Sequence, residues 1–247
     1  MKVDFTKMRA GENDYAIIFF ENGLSEEPKQ FFSVFSNAFT EFERIIVVSH
    51  SKTADAEMQL FSLNGTEIMP CVNSLSCIGK YIYEKGISDS PTPVVKTMDG
   101  FKRLLLRIDA DRIKTVTVCL GNASFPDSDG FCQTVRLCGE HKFAFCDDLS
   151  QVPCELADTK IGLIKVNGRR SLSFYQAGSE QNSCFSCGNE ICAAVALAVK
   201  NGFVDPDMPI FASSKSGGVI VVCTSGYNLY PSGSADFISH GTFDTKD

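Results

Sequence analysis

The chain has little of what a highly charged partner or a lipid environment demands. Its 23 lysines and arginines are outnumbered by 30 acidic residues, for a formal net charge of −7. No basic tract exceeds a Lys-Arg or Arg-Arg pair, which argues against nucleic-acid and anionic-membrane binding and leaves a small molecule as the better partner. No run approaches the ~20 apolar residues that cross a bilayer. The segment Met1–Tyr15 lacks the apolar stretch of a secretory signal, so a cytoplasmic location is expected. Histidine occurs only at His50, His141 and His240, too scattered to complete a zinc site, and no metal is expected. Tryptophan is absent, and no low-complexity tract or long Pro/Gly/Ser linker divides the chain.

Cysteine is plentiful: eleven occur among 247 residues, at irregular spacings. An odd number in a chain expected to stay inside the cell reads as reduced thiols and not as a disulfide framework. Most should be small buried apolar residues. Cys184-Phe185-Ser186-Cys187 forms a Cys-x-x-Cys, but no second pair has zinc spacing. A disulfide there reads as oxidative inactivation more readily than as function.

Short β-type runs dominate, among them Tyr15–Phe20, Arg44–Val48, Met58–Phe61, Leu104–Ile108, Thr115–Cys119, Ile161–Val166, Leu172–Tyr175 and Val219–Cys223. Gly, Asn, Asp and Ser clusters separate them. Helical apolar spacing appears near 28–39, 72–85 and 188–201. The phenylalanines Phe31, Phe32, Phe35, Phe39 and Phe42 read as the buried face of the first helix. The pattern is α+β, richer in strand than in helix.

The second and third helices each begin after a cysteine and end at a glycine suited to a helix C-terminus. Cys71 to Gly86 is fifteen positions, Cys187 to Gly202 is fifteen, and an asparagine follows two residues after each cysteine, Asn73 and Asn189. This suggests two related halves, although two unrelated helices can share a length. The halves are expected to be 1–112, completed by the C-terminal strand 235–247, and 113–234, with the boundary near Asp109-Ala110-Asp111-Arg112.

A helix N-terminus presents unpaired N–H groups and about half a positive charge. It can lower a thiol's pKa and hold a carboxylate. Two such ends suit proton removal from the α-carbon of an amino acid, because one thiolate can serve as base on one face and one thiol as acid on the other. Cys71 and Cys187 are the candidates, and no cofactor is required.

The segments Gly65-Thr66-Glu67-Ile68-Met69-Pro70-Cys71-Val72-Asn73 and Ser186-Cys187-Gly188-Asn189-Glu190-Ile191-Cys192-Ala193-Ala194 resemble the Cys-Gly-Asn-Gly and Cys-Gly-Ser-Gly-x-Cys-Ala-Ala elements of the diaminopimelate epimerase family. Gly11-Glu12-Asn13-Asp14-Tyr15 is similar to its Gly-Asn-Asp-Phe turn, and Phe42–Val48 to its Phe-Asp-Gln strand. Gly217-Gly218 and Gly233-Ser234-Ala235 extend the resemblance to nearly the whole chain. It implies two pseudo-symmetric halves, each a curled, mostly antiparallel sheet around a central helix. It further implies a cleft between them, two-cysteine catalysis, and neither pyridoxal phosphate nor metal.

Carried over by position, the substrate-binding candidates at the α-centre are Asn13, Val72, Asn73, Gly188 and Asn189, with Val72 and Asn189 as departures from the pattern. The positions for the far end of diaminopimelate are changed: Ser62 and Lys160 replace asparagines, Gln176-Ala177 replaces a Glu-Arg pair, and Arg44 stands on a glutamine. A site built for one hydrogen-bonding partner rejects the wrong one strongly. The expected substrate is therefore a free amino acid other than diaminopimelate, with a polar or acidic side chain suggested by Arg44 and Lys160. Diaminopimelate itself, a related proton-shift isomerisation, and a non-catalytic amino-acid-binding paralogue stay open as alternatives. A homodimer is allowed for and not required.

Overall fold

The structure, a computed structural model, describes residues 2–21, 28–39, 41–126, 132–148, 161–176, 188–214 and 217–244. The chain divides into two compact units, Met1–Val118 with Gly233–Asp247, and Cys119–Ser232.

The first unit runs β1 (Lys2–Ala10), β2 (Asn13–Phe19), α1 (Pro28–Ala38), β3 (Arg44–Ser49), β4 (Ala56–Ser62), β5 (Glu67–Ile68), α2 (Val72–Glu84), β6 (Val94–Thr97), β7 (Gly100–Asp109) and β8 (Arg112–Val118). Neighbours pair in the order β1, β2, β3, β4, β6, β7, β8, with β5 also on β4. Two junctions are parallel, β2 to β3 and β4 to β6. Parallel neighbours need a crossover, and α1 and α2 supply them. Helix α2 touches β1, β2, β4, β7 and β8, strands from both ends of the row, so the sheet curls around it.

The second unit repeats this plan. Its elements are β9 (Gly121–Asn122), β10 (Gln133–Arg136), β11 (Glu140–Phe145), β12 (Ile161–Gly168), β13 (Ser171–Gln176), α3 (Asn189–Lys200), β14 (Pro209–Ser214), β15 (Gly217–Cys223) and β16 (Asn228–Gly233). From β10 to β16 the pairings are antiparallel, parallel, antiparallel, parallel, antiparallel, antiparallel. That is the polarity sequence found from β1 to β8. Helix α3 crosses from β13 to β14 as α2 crosses from β4 to β6, and it touches every strand from β10 to β15. The last strand, β17 (Asp236–Asp244), pairs antiparallel with β1 and so belongs to the first unit.

The helix ends match in detail. Gly86 and Gly202 have φ of 69° and 71°, a region that glycine enters without steric cost. Gly86 N–H donates to the Tyr83 carbonyl and Ile87 N–H to that of Ile82, as Gly202 does to Val199 and Phe203 to Ala198. Both are Schellman caps. The division of the chain falls later than the polar stretch Asp109–Arg112 suggested. Ala110 and Asp111, with φ of 48° and 60°, form the tip of the β7–β8 hairpin, where two left-handed residues match the strand twist. The polarity there is turn chemistry within one unit, and the units part after Val118.

Strands β2 and β3 are buried almost end to end, because a helix covers each face. Ala16, Ile18, Ile45 and Val47 join a cluster with Phe32 and Phe35 of α1. The alternate residues Tyr15, Ile17, Arg44 and Ile46 therefore face the other way, toward α2. Helix α3 is buried from Ile191 to Val199. Its small residues allow β strands to surround it closely. Among the described residues no helix is long and apolar enough to cross a membrane.

Candidate active site

Cys71 follows Pro70 in extended backbone, φ −122° and ψ 168°, and is the N-cap of α2. Its carbonyl accepts the first helical hydrogen bond, from Leu75 N–H at 2.9 Å. Ser74 completes the cap from within the first turn. Its Oγ accepts from Cys71 N–H and donates to the Cys71 carbonyl, each at 2.9 Å. The returning N3 side chain is one half of a capping box. The Cys71 residue is buried at 6% exposure, and its Sγ lies 3.6 Å from the Tyr15 hydroxyl.

Asn13 opens β2 just after Gly11, whose φ of 60° makes the turn. A Cβ on Gly11 would stand 3.3 Å from Asn73 Nδ2. Asn73 donates through Nδ2 to Asn13 Oδ1 at 3.1 Å, and Asn13 Nδ2 donates to the Glu43 carboxylate. Glu43 is held in turn by its N–H on the Asp14 carbonyl, 3.0 Å. The relay Asn73, Asn13, Glu43 thus ties the first turn of α2 to the approach to β3. Val72 is 1% exposed, so its side chain belongs to the core. What this position can offer a ligand is backbone, because first-turn N–H groups lack intrahelical acceptors.

Arg44 and Ser62 lie in one cross-strand row with Tyr15, Tyr15 opposite Arg44 and Arg44 opposite Ser62. Directly paired residues leave a sheet on the same face, and this is the α2 face. Arg44 Nη1 donates to the Glu43 carbonyl at 2.7 Å, and Ser62 Oγ to the Thr66 carbonyl at 3.1 Å. In the second unit, Gly188 is the N-cap of α3 with φ 75°, a conformation that requires glycine. Helix α3 thus starts one residue further from its cysteine than α2 does. Asn189 is buried at 3% exposure, and Glu190 stands in the first turn, its carboxyl pushed up by burial. Gln176 ends β13 opposite Gly162. Cys187 and Lys160 lie outside the described residues, as does Cys184.

Two cysteines inside the helices behave as packing groups. Cys77 and Cys192 are fully buried, and burial pushes the Cys77 thiol well up. His141 sits on β11 with Nε2 3.1 Å from the Leu137 carbonyl, so that nitrogen carries the proton in the hydrogen-bonded form. Burial lowers its pKa.

Sequence reasoning met Asp14, Tyr15 and Glu43 only as parts of motifs and gave them no role in this neighbourhood, and it gave none to Ser74. For Ser74 the readable signal was a serine three residues after a helix-capping position. Asp14 is gripped by β1: Arg9 donates through Nε and Nη2 at 2.6 and 2.8 Å, and Lys7 Nζ lies 3.0 Å away. The Arg9 hydrogen bonds hold the carboxyl below its ordinary pKa against the opposing effect of burial. A depressed carboxylate stabilises the fold above its unfolded pKa of ~3.9, and that contribution is lost as pH falls through the lower folded value. Asp14→Asn is therefore expected to cost about 1–2 kcal/mol at pH 7, less than a fully buried pair because Arg9 is half exposed. In urea denaturation the gap from wild type should close below about pH 4.

Over nearly its whole length the chain is similar to curated diaminopimelate epimerases. That of Clostridium perfringens is 27% identical, with 97% of this chain and 98% of the relative covered. That of Bacteroides thetaiotaomicron is 25% identical, with 90% of each covered. No family model matches the chain. Among solved structures, a PhzF-family phenazine biosynthesis protein from Bacillus anthracis superposes with a TM-score of 0.73 at 13% identity, covering 99% of both chains. A hydroxyproline epimerase from Agrobacterium vitis does so with a TM-score of 0.69 at 10% identity, covering 100% of this chain and 93% of the other. At such identities the structures speak for the fold, and the repeated sheet-and-helix unit is that fold. The duplicated topology is the diaminopimelate epimerase-like fold, and the full-length similarity to curated epimerases marks the chain as an isomerase.

Proposed function

We propose that the protein inverts the α-carbon of a free amino acid by proton transfer between Cys71 and Cys187, without a cofactor. The observation that carries this reading is Cys71 itself, buried at the N-cap of α2 with Asn73 and Asn13 beside it. One thiolate takes the α-proton, forming an S–H bond as the C–H bond breaks, and the electron pair spreads into the substrate carboxylate. The opposing thiol protonates the other face and becomes the thiolate, so the two roles exchange with direction. Carboxylate charge that grows in the transition state is stabilised by fixed N–H donors at the helix ends.

The substrate in this reading is not diaminopimelate. Arg44 and Ser62 occupy the α2 face of the sheet at positions where the family pattern has uncharged amides, and Gln176 and Lys160 replace further polar partners. A cation at Arg44 suits a substrate with an acidic or polar side chain. The second reading is diaminopimelate epimerisation, favoured by the names of the curated relatives.

Loss of the α-proton signal in D₂O, followed by NMR with the reduced protein, separates the two. Exchange confined to diaminopimelate selects the second reading. Exchange of an acidic or polar amino acid, with none for diaminopimelate, selects the first, and equal rates for alanine or leucine remove the role given to Arg44. No exchange with any of them sinks the two-thiol mechanism.

A further inference from the structure

We propose that Tyr15 is a positioning residue for proton transfer, its hydroxyl holding the Cys71 sulfur in place and donating to it when it is a thiolate. This rests on the two-thiol reading, but its geometry stands independently. The Tyr15 hydroxyl lies 3.6 Å from Cys71 Sγ, a hydrogen-bond distance for the larger sulfur atom, in a buried setting. Tyr15 is 2% exposed and sits inside β2, with Met8 of β1 opposite on one side and Arg44 of β3 on the other. A residue paired on both edges cannot shift its backbone, so the ring is delivered to the sulfur by the sheet itself.

The direction of donation follows from the chemistry. A thiolate can only accept, and a phenol O–H is a better donor than an S–H. A hydrogen bond to the charged form favours that form, and more so where water is excluded. The motif that Gly11–Tyr15 resembles ends in phenylalanine, so the tyrosine adds one donor oxygen and no other change of shape. Cys77, further along α2, is fully buried, and burial pushes its thiol well up, toward the neutral form. Ser74 engages the Cys71 backbone from within the helix, and the Tyr15 hydroxyl reaches the sulfur from the sheet.

The test compares wild type and Tyr15→Phe by iodoacetamide alkylation of Cys71, resolved from the other cysteines by peptide mass spectrometry across a pH series. The variant is expected to react about tenfold more slowly at pH 7, with its profile moved up by about one pH unit, as fits loss of a hydrogen bond to a charged group. Its kcat for α-proton exchange should fall with KM unchanged. A profile identical to wild type overturns the proposal. Should the variant fail to fold, protein made with 3-fluorotyrosine supplies the second arm. Its more acidic phenol should move the Cys71 profile down, and an unmoved profile overturns the proposal as well. If wild type exchanges no amino acid, the alkylation arms still decide the role of Tyr15. If exchange is present and the profiles coincide, Tyr15 falls while the two-thiol reading stands.

Discussion

Cys71→Ser is expected to slow α-proton exchange by roughly 10²–10⁴-fold, the range that one positioned acid–base group supplies. A hydroxyl is nearly the same size as a thiol, but it ionises far too weakly to serve as the base near neutral pH. The substitution also separates chemistry from folding. Serine is a favoured N-cap residue, and the position caps α2, so stability should be unchanged or slightly raised. Urea denaturation checks this alongside the exchange rate. A variant that is as stable as wild type and exchanges at the wild-type rate would remove Cys71 from the mechanism. Cys187→Ser should show the same loss of exchange if the second thiol completes the pair.

Phe35→Ala is expected to cost about 3–5 kcal/mol, a large share of the 5–15 kcal/mol by which domains are usually stable. Phe35 is fully buried, and its ring lies 4.9 Å from Phe39, 5.4 Å from Phe243, 5.6 Å from Phe5 and 5.7 Å from Phe42. Those rings belong to the residue just past α1, to β17, to β1 and to the approach to β3, so one truncation leaves a cavity at the meeting of four segments. Phe101→Ala serves as the control. Phe101 is 58% exposed and should change stability by no more than about 0.5 kcal/mol. Similar costs for the two would mean that the aromatic cluster collapses around the missing ring.

The elements legible in the sequence were those whose own residues decide them. Helix α2 shows its capping position, its period and its terminal glycine within 71–86, and α3 shows its period and its terminal glycine by 202. Runs such as Ile45–Val48 are apolar on both faces and declare themselves as strands. Strands β1, β14 and β16 did not. Lys2, Asp4, Lys7 and Arg9 interrupt β1, and the charges of Lys7 and Arg9 are there for Asp14. Pro209 opens β14, and Pro231 and Gly233 lie within β16, where local chemistry argues against a strand and pairing overrides it. The site divided in the same way. Cys71 and Asn73 could be read from their place at a helix start. Tyr15 could not, because 56 residues separate it from Cys71 and only the register of β2 brings them together.

The return of β17 to β1 sets an order of events on the ribosome. Residues 119–232 form one uninterrupted stretch and can complete their own row of strands as soon as they emerge. The unit that begins the chain must wait, because the partner of its first strand is made last: Thr6 meets His240 across 234 residues. Until then β1 offers an open edge, the kind of surface that recruits other nascent chains. The unit synthesised first is thus the one completed last, and the long loop it must close is the slow step that topology imposes.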